Sequence, residues 1–518
     1  MDKRTAITAE LPRLRRYARA LLRDPGGADY LVQDCLERAL SRLHQFQAGT
    51  NMRAWLFTIM HGIHVNAVRK GIRAANAGAV ERRMAAAEPD DVMTLVYTSG
   101  TTGPPKGAML TNANTEFSIT RIVGEDGLRG KRVPTADDLV VTYLPLCHVA
   151  ERIFSTWHMV SCGLCLNFAE SIETVTVNLR EVQPTLFFAV PRIWEKLHAT
   201  VMIKGSDSSP FKRLWLRFGL KLAAVIGREK VANGGLHTPK SRLLNLIGYP
   251  LVFRALQERL GLRRCWHAGS GAAPIAPEVL EFFIGIGVPV YELYGMTENS
   301  AVATGNFPGR MRLGTVGEPY PDIGFRLDEE TGEIQTKHPG VFVGYWNRPE
   351  QTAETFTEDG WLMTGDVGEW VDGTHIRIID RIKHIIITAG GKNISPSEIE
   401  NSLKTSLYVK EAMVIGDRRK FLSALIGIEL DTVGDWALRR NIPYTTYRDL
   451  SEKPEVLELI QGVVNETNEK FARVESIREF RMIPKELDHE DGELTATQKI
   501  KRSAMEDAFG GLIEEMYA

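Results

Sequence analysis

Residues 97–107 read Tyr-Thr-Ser-Gly-Thr-Thr-Gly-Pro-Pro-Lys-Gly, and these side chains suit the capture of a bulky anion. The hydroxyls of Thr98, Ser99, Thr101 and Thr102 and the ammonium of Lys106 can all donate to phosphate oxygens. Gly100 and Gly103 let the backbone approach closely and free its N–H groups to join them. The spacing Gly100-x-x-Gly103-x-x-Lys106 does not fit G-x-x-x-x-G-K-[ST], which excludes a Walker loop. Downstream, Gly269-Ser270-Gly271-Ala272-Ala273-Pro274 is a small-residue turn that a flat ring can approach. Tyr291-Glu292-Leu293-Tyr294-Gly295-Met296-Thr297-Glu298 supplies an aromatic to stack, a hydroxyl to donate and a carboxylate of the kind that holds Mg²⁺. Thr364-Gly365-Asp366 offers a carboxylate able to accept two hydrogen bonds from vicinal hydroxyls.

Such residues act together only if folded elements position them. The glycine loop follows a strand-like run, Val92–Tyr97. Further β-like runs at 138–144, 185–190 and 288–291 alternate with helical segments, as α/β layers require. Residues 380–518 open with the run Ile385–Thr388 and continue as a small α+β pattern. Residues 10–70 read as three helices. The first carries Leu11, Leu14, Ala18 and Leu21 at helical spacing, and Asp24-Pro25-Gly26-Gly27 breaks it. Asp29 is expected to cap the second, and the third carries Trp55, Leu56, Ile59 and Ile63. The expected domains are 1–75, a linker at 76–90, a large domain at 91–379 and a small one at 380–518.

The chain has 518 residues with 43% hydrophobic and 25% charged content, ordinary for a globular protein. No apolar run has the length of a membrane span, and no apolar segment follows Met1-Asp2-Lys3-Arg4, so a cytoplasmic protein is expected. Five cysteines exclude a disulfide framework, and Cys162-Gly163-Leu164-Cys165 reads as a buried thiol pair. Charge is uneven: residues 1–75 hold 13 Lys/Arg against 6 Asp/Glu, a net +7, in a chain of net −2. Two parts with different partners would give such an asymmetry.

The loop at 97–107 resembles the signature loop of the adenylate-forming enzymes, and the other clusters match that family in order over about residues 90–518. The resemblance implies a multidomain fold: a small all-α N-terminal segment, an α/β adenylate-forming large domain, and a mobile α+β C-terminal domain. It implies ATP, Mg²⁺ and CoA as cofactors and a fatty acid as substrate. Thr98, Ser99, Gly100, Thr101, Thr102, Gly103 and Lys106 would hold the β- and γ-phosphates. Gly271, Ala272, Ala273, Glu292, Tyr294 and Gly295 would surround the adenine, with Thr297 near the α-phosphate and Glu298 on the metal. Asp366 and Arg381 would take the ribose, Asp380 would be the hinge, and Gly390 and Gly391 would meet the CoA arm. Lys499 aligns with the catalytic lysine, whose ammonium would offset the charge of a carboxylate attacking the α-phosphate. Gln498 stands where a glycine is commonest, and Lys501 and Arg502 read as basic surface. Leu144–Arg152 and Val190–Lys196 resemble long-chain acyl-CoA synthetases, which would put His148 and Trp194 by the acyl entrance. An acyl substrate also leaves room for a peripheral membrane contact without a transmembrane segment.

Residues 10–70 resemble region two of extracytoplasmic-function sigma factors, through Tyr17-Ala18-Arg19, Asp29–Asp34, Glu37–Leu40 and Thr50–Ile59. That implies RNA polymerase core or promoter DNA as partners. Adenylate-forming enzymes carry a large N-terminal portion before the phosphate loop, whereas this chain has the sigma-like segment there. An N-terminally incomplete large domain is therefore expected, with exposed sheet edges and weaker preorganisation. Three readings follow: a ligase, intact or impaired; a sigma-type regulator with a nucleotide- or acyl-binding module; and an inactive fusion remnant.

Overall fold

The structure is a computed structural model. It describes residues 6–8, 10–22, 25–43, 46, 51–74, 83–98, 105–124, 132–206, 209–388, 392–488, 491–495 and 500–518. Its contacts fall into two compact units, Met1–Glu88 and Pro89–Ala518.

The first unit is built on the helices α1 (Leu11–Leu22), α2 (Pro25–Ser41) and α3 (Met52–Ala74). Leu14 and Ala18, one turn apart, meet Cys35, Ala39, Leu56 and Met60 in its buried centre. α2 opens on Pro25, whose ring pre-sets a helical φ. Asp29 therefore lies a turn inside the helix, 3.8 Å from Arg15, and is not the expected cap.

The second unit begins with an antiparallel hairpin of β1 (Val92–Thr98) and β2 (Lys106–Thr111). Helix α4 (Asn112–Val123) follows, capped by reciprocal bonds between Thr111 and Asn114. The main sheet comprises β3 (Leu139–Thr142), β4 (Cys165–Phe168), β5 (Leu186–Ala189), β6 (His267–Ser270), β7 (Val290–Tyr294), β8 (Thr304–Gly305) and β9 (Glu318–Pro319). Its order is β4-β3-β5-β6-β7-β8-β9, parallel from β4 through β7 and antiparallel beyond. The sequence pattern places the third run at 288–291, but the ladder starts later. Pro289 has no N–H to donate, and its carbonyl accepts from Ala268 instead.

Helices α5 (Pro191–Ser206), α6 (Pro210–Ala232), α7 (Pro239–Gly248) and α8 (Pro277–Gly285) follow β5 and β6 in the chain. Trp194, Phe187, Phe253 and Phe283 form the middle of the core they share with the sheet. A four-stranded antiparallel sheet joins β10 (Gly324–Leu327), β11 (Glu333–Lys337), β13 (Leu362–Val371) and β14 (His375–Arg381). The two-residue β12 (Gly344–Tyr345) pairs instead with β2.

The C-terminal part starts with the short pair β15 (Ile386–Ile387) and β16 (Asn393–Ile394), less than the run expected at 385–388. Helix α9 (Pro396–Lys404) precedes a three-stranded sheet of β17 (Val409–Ile415), β18 (Leu422–Ile428) and β19 (Ile477–Met482). Every residue of β18 is buried, and Ile399, Leu403 and Val464 pack in the same cluster. The last helix, α10 (Arg502–Glu515), covers the other side through Met505, Phe509 and Ile513.

Candidate active site

Asp366 stands opposite Arg381 in the β13–β14 ladder. This register brings the guanidinium Nε to 3.0 Å from Asp366 Oδ1. The other oxygen, Oδ2, accepts from the Tyr294 hydroxyl at 2.7 Å, at the end of β7. Two sheets thus converge on one carboxylate. Gly365 has φ +73°, a left-handed turn that glycine tolerates, and its N–H donates to Glu333 Oε1 at 2.7 Å. Burial first, and then the Asp366 charge, push the Tyr294 hydroxyl well above its ordinary value. The Asp366 charge raises Arg381 in turn. One side of Arg381 remains open, its side chain 45% exposed.

Glu298 lies one turn beyond Tyr294 in a buried 3₁₀ segment, Thr297–Asn299. The loop that carries it is strained. Ser300 and Ala301 both have positive φ, +53° and +59°. Gly295 faces Ala301 so closely that a Cβ would lie 2.2 Å from its carbonyl carbon. Glu298 Oε1 accepts from the Tyr345 hydroxyl at 2.6 Å, and Lys106 Nζ sits 5.0 Å above the Tyr345 ring. Burial raises the Glu298 carboxyl, with the Tyr345 bond opposing. Arg381 and Asp366 both act on Glu298 electrostatically, so the two carboxylates share one neighbourhood.

The ends of the glycine loop are fixed by the hairpin. Thr98 pairs with Lys106, and Thr98 Oγ1 donates to the Lys106 carbonyl at 3.4 Å. Ser99, Gly100, Thr101, Thr102 and Gly103 lie outside the described residues, as do Gly390, Gly391 and Lys499. The small-residue turn leaves β6 with Ala272 at φ +69°. A Cβ on Gly271 would stand 3.0 Å from the Leu293 carbonyl, so this turn and β7 approach closely. Ser270 is opposite Glu292 in the parallel β6–β7 ladder. Ser270 Oγ and Glu292 Oε2 are buried and lack a protein partner among the described residues. Burial lifts the Glu292 carboxyl to about 8, opposed by a Gly314 N–H bond, so at neutral pH it is a donor as well as an acceptor.

Trp194 is fully buried in the core, edge-on to Phe187 and Phe283, and donates to the Gly269 carbonyl at 3.3 Å. Both Phe187 and Gly269 also line a small void beside Phe188 and Leu293. His148 is half-buried, and its Nδ1 accepts from Ala150 N at 3.2 Å, capping a short helical turn. Asp380 accepts from Ser395 Oγ, Ser397 N, Ser397 Oγ and Arg381 N, all within 3.0 Å. It thereby ties the last strand of the four-stranded sheet to the first turn of α9. Arg502, expected on the surface, makes an ion pair with the mostly buried Glu400 and donates to the Val414 carbonyl. Cys165 is exposed, which corrects the expected buried thiol pair.

Sequence patterns passed over Tyr345 and Glu333. Both act on motif residues distant in the chain, and no local signal marks them. Among the described residues no group of three metal-ligating side chains occurs. Glu298 is thus a single carboxylate, which fits Mg²⁺ when phosphate oxygens and water complete its shell.

The family model of AMP-binding enzymes matches residues 44–346, and that of their C-terminal domain matches 383–518. This chain is an AMP-binding enzyme family member. Its N-terminal residues 7–61 match the sigma2 domain of PhyR. The AMP-binding chain is 38% identical over 440 residues to the Mycobacterium tuberculosis protein named "Putative fatty-acid--CoA ligase fadD11", covering 84% of itself and 75% of that protein. It is 35% identical over 459 residues to the long-chain-fatty-acid–CoA ligase ACSBG2 of Gallus gallus, 83% of itself and 59% of that protein. Among solved structures, it resembles the A domain of carboxylic acid reductase from Segniliparus rugosus, in complex with AMP and a co-purified carboxylic acid. The TM-score is 0.59 at 25% identity, over 83% of this chain and 62% of that one. The chain thus spans between about three fifths and three quarters of these relatives. Among the described residues no helix is long and apolar enough to cross a membrane.

Proposed function

We propose that this chain is an ATP-dependent fatty acid–CoA ligase that works through an acyl-adenylate. The observation that carries the proposal is the shared site of Asp366, Arg381, Tyr294, Glu298 and Lys106, drawn from four separate stretches of sequence. Family membership and relatives named fatty-acid–CoA ligases support it. A long-chain acid as substrate and CoA as acceptor belong to this proposal.

In this reading Asp366 accepts from the ribose hydroxyls, and Arg381 and Tyr294 keep its two oxygens aimed. The Ser270–Glu292 pair, whose Oγ and Oε2 lack a protein partner among the described residues, meets the polar edge of the adenine. Lys106 and the loop it closes hold the β- and γ-phosphates, and Thr297 donates to the α-phosphate. Glu298 would hold Mg²⁺, which when bound offsets phosphate charge. Lys499 brings an ammonium to the carboxylate and α-phosphate as they meet, lowering the cost of joining two anions. Pyrophosphate leaves, and the C-terminal domain turns about Asp380 so that the CoA thiol reaches the acyl carbonyl, with Gly390 and Gly391 beside its arm. The acyl chain is assigned to the void of about 10 Å³ between Phe154, Phe188, Leu293 and His158. That void holds one water-sized group and is bordered by the stacked Phe154 and Phe188 rings, 4.2 Å apart, so an acyl chain needs these walls to move.

Two strands at sheet edges leave apolar side chains exposed, Val92, Met93 and Tyr97 on β1 and Phe168 on β4. They support the further expectation that catalysis is impaired by weak preorganisation. The alternative, a sigma-type regulator acting on RNA polymerase or promoter DNA, has the match at 7–61 and the net +7 of residues 1–75 behind it. The test of the ligase is pyrophosphate release with palmitate, ATP and Mg²⁺. Fatty-acid-dependent release is expected; none from folded protein at any chain length would reject it.

A further inference from the structure

The helix pair α6 and α7 carries features that neither the nucleotide site nor the core uses. α6 buries one side, where Gly219, Ala223, Ile226 and Gly227 face inward. Its first turns leave Phe211, Leu214, Trp215 and Phe218 in the open, with Phe211 69% and Leu214 66% exposed. These four follow i, i+3, i+4, i+7 spacing and so form one stripe. Phe211 and Trp215 meet edge-on at 6.1 Å, as do Trp215 and Phe218. α7 repeats the pattern with Leu243, Leu246 and Ile247 exposed, Leu246 at 72%. The elements are packed together where Gly219 approaches Val252 and Gly248 approaches Leu222. Residues 239–251 are therefore held beside α6.

The charge along this stretch is mostly positive. Residues 209–257 contain nine Lys or Arg, of which Lys230 is buried, and a single acid, Glu229. That acid is already engaged by Lys240 at 2.7 Å. On α6, Lys212, Arg213, Arg217 and Lys221 are all exposed. This stretch stands apart from a chain whose net charge is −2. Exposed aromatics and leucines among long basic side chains fit the boundary of an anionic bilayer. There the apolar groups enter the acyl region while Lys and Arg extend to the headgroups. A protein partner would have to present a matching apolar, acidic face; a lipid surface supplies both properties at once.

We propose that the exposed face of α6 and of residues 239–251 docks the chain on an anionic phospholipid surface. Docking concerns where the molecule sits and does not depend on the ligase reading. The test is co-sedimentation of the full chain with phosphatidylcholine vesicles, with and without phosphatidylglycerol. Binding to the anionic vesicles is expected, weaker by about tenfold or more on neutral vesicles or in high salt. Lys212→Glu/Arg213→Glu/Arg217→Glu should lose binding by about tenfold or more, and Leu214→Ser/Phe218→Ser should lose it too. All five side chains are exposed, so both variants should melt as the parent does. Charge reversal at Lys470 and Arg473, exposed elsewhere, should leave binding intact. Equal affinity for neutral and anionic vesicles, no binding, or binding unmoved by both variants would overturn the proposal. So would a lipid-free dimer that the Leu214/Phe218 variant dissociates, since a second copy would then be the occupant.

Discussion

A single buried carboxyl, Glu292, makes the candidate site measurable without any ligand. Burial holds its folded-state value at about 8, against about 4.5 unfolded. Between those values the folded chain binds more protons than the unfolded one, so stability falls as pH rises through that window. The loss is at most about 1.4 kcal/mol per pH unit. Glu292→Gln keeps a polar group of the same shape and removes the titration. Melting curves from pH 5 to about 8 should show its advantage over the parent growing with pH. A constant offset would mean that Glu292 is ionised and paired. Gly295 gives a second test at this scale. In Gly295→Ala the new methyl meets the Ala301 carbonyl carbon 2.2 Å away, in backbone already strained at Ser300 and Ala301. ATP affinity should drop by tenfold or more, on the order of 1.4 kcal/mol; unchanged affinity would separate this turn from the nucleotide.

Among the elements, the junction of β14 with α9 bears the heaviest load on one side chain. The Asp380 carboxylate, 4% exposed, accepts four hydrogen bonds from Ser395, Ser397 and Arg381. Asp380→Ala removes the acceptor of all four bonds, although Ser395 Oγ keeps another, the Ile379 carbonyl; the cost is about 2 kcal/mol. It should lower the melting temperature and slow thioester formation more than adenylation, as single-turnover kinetics would reveal. Equal slowing of both steps would deny Asp380 a hinge role. Elements of this kind were only partly legible in the chain. β1 was marked by the strand-like run Val92–Tyr97 ahead of the glycine loop, whereas Thr364-Gly365-Asp366 announced no strand and lies inside β13, with Thr364 and Asp366 buried. The helix after Pro25 was misplaced by one turn because Asp29 is a good cap in isolation, while the proline at Pro25 decides the start. Arg502 looked like surface because a charge pattern does not foretell a partner such as Glu400, 102 residues away. Tyr345 escaped for the same reason, since its bond to Glu298 spans 47 residues and its own segment has no distinctive composition.

Over the whole molecule, the AMP-binding part gathers its site from the hairpin, the main sheet and the four-stranded sheet, with β12 linking Tyr345 to β2. Order along the chain made that convergence legible through the family resemblance; distances between the clusters became available only with the fold. The sigma-like helices form a separate unit with their own core. The most direct measurement of the ligase claim is fatty-acid-dependent exchange of labelled pyrophosphate into ATP, run on the full chain, Asp366→Ala and Lys499→Ala. The parent should exchange. Asp366→Ala should lose exchange together with ATP affinity, and Lys499→Ala should lose exchange while still binding ATP. Exchange that persists in either variant, or that is absent from folded parent protein with every fatty acid offered, would contradict the assignment of this site.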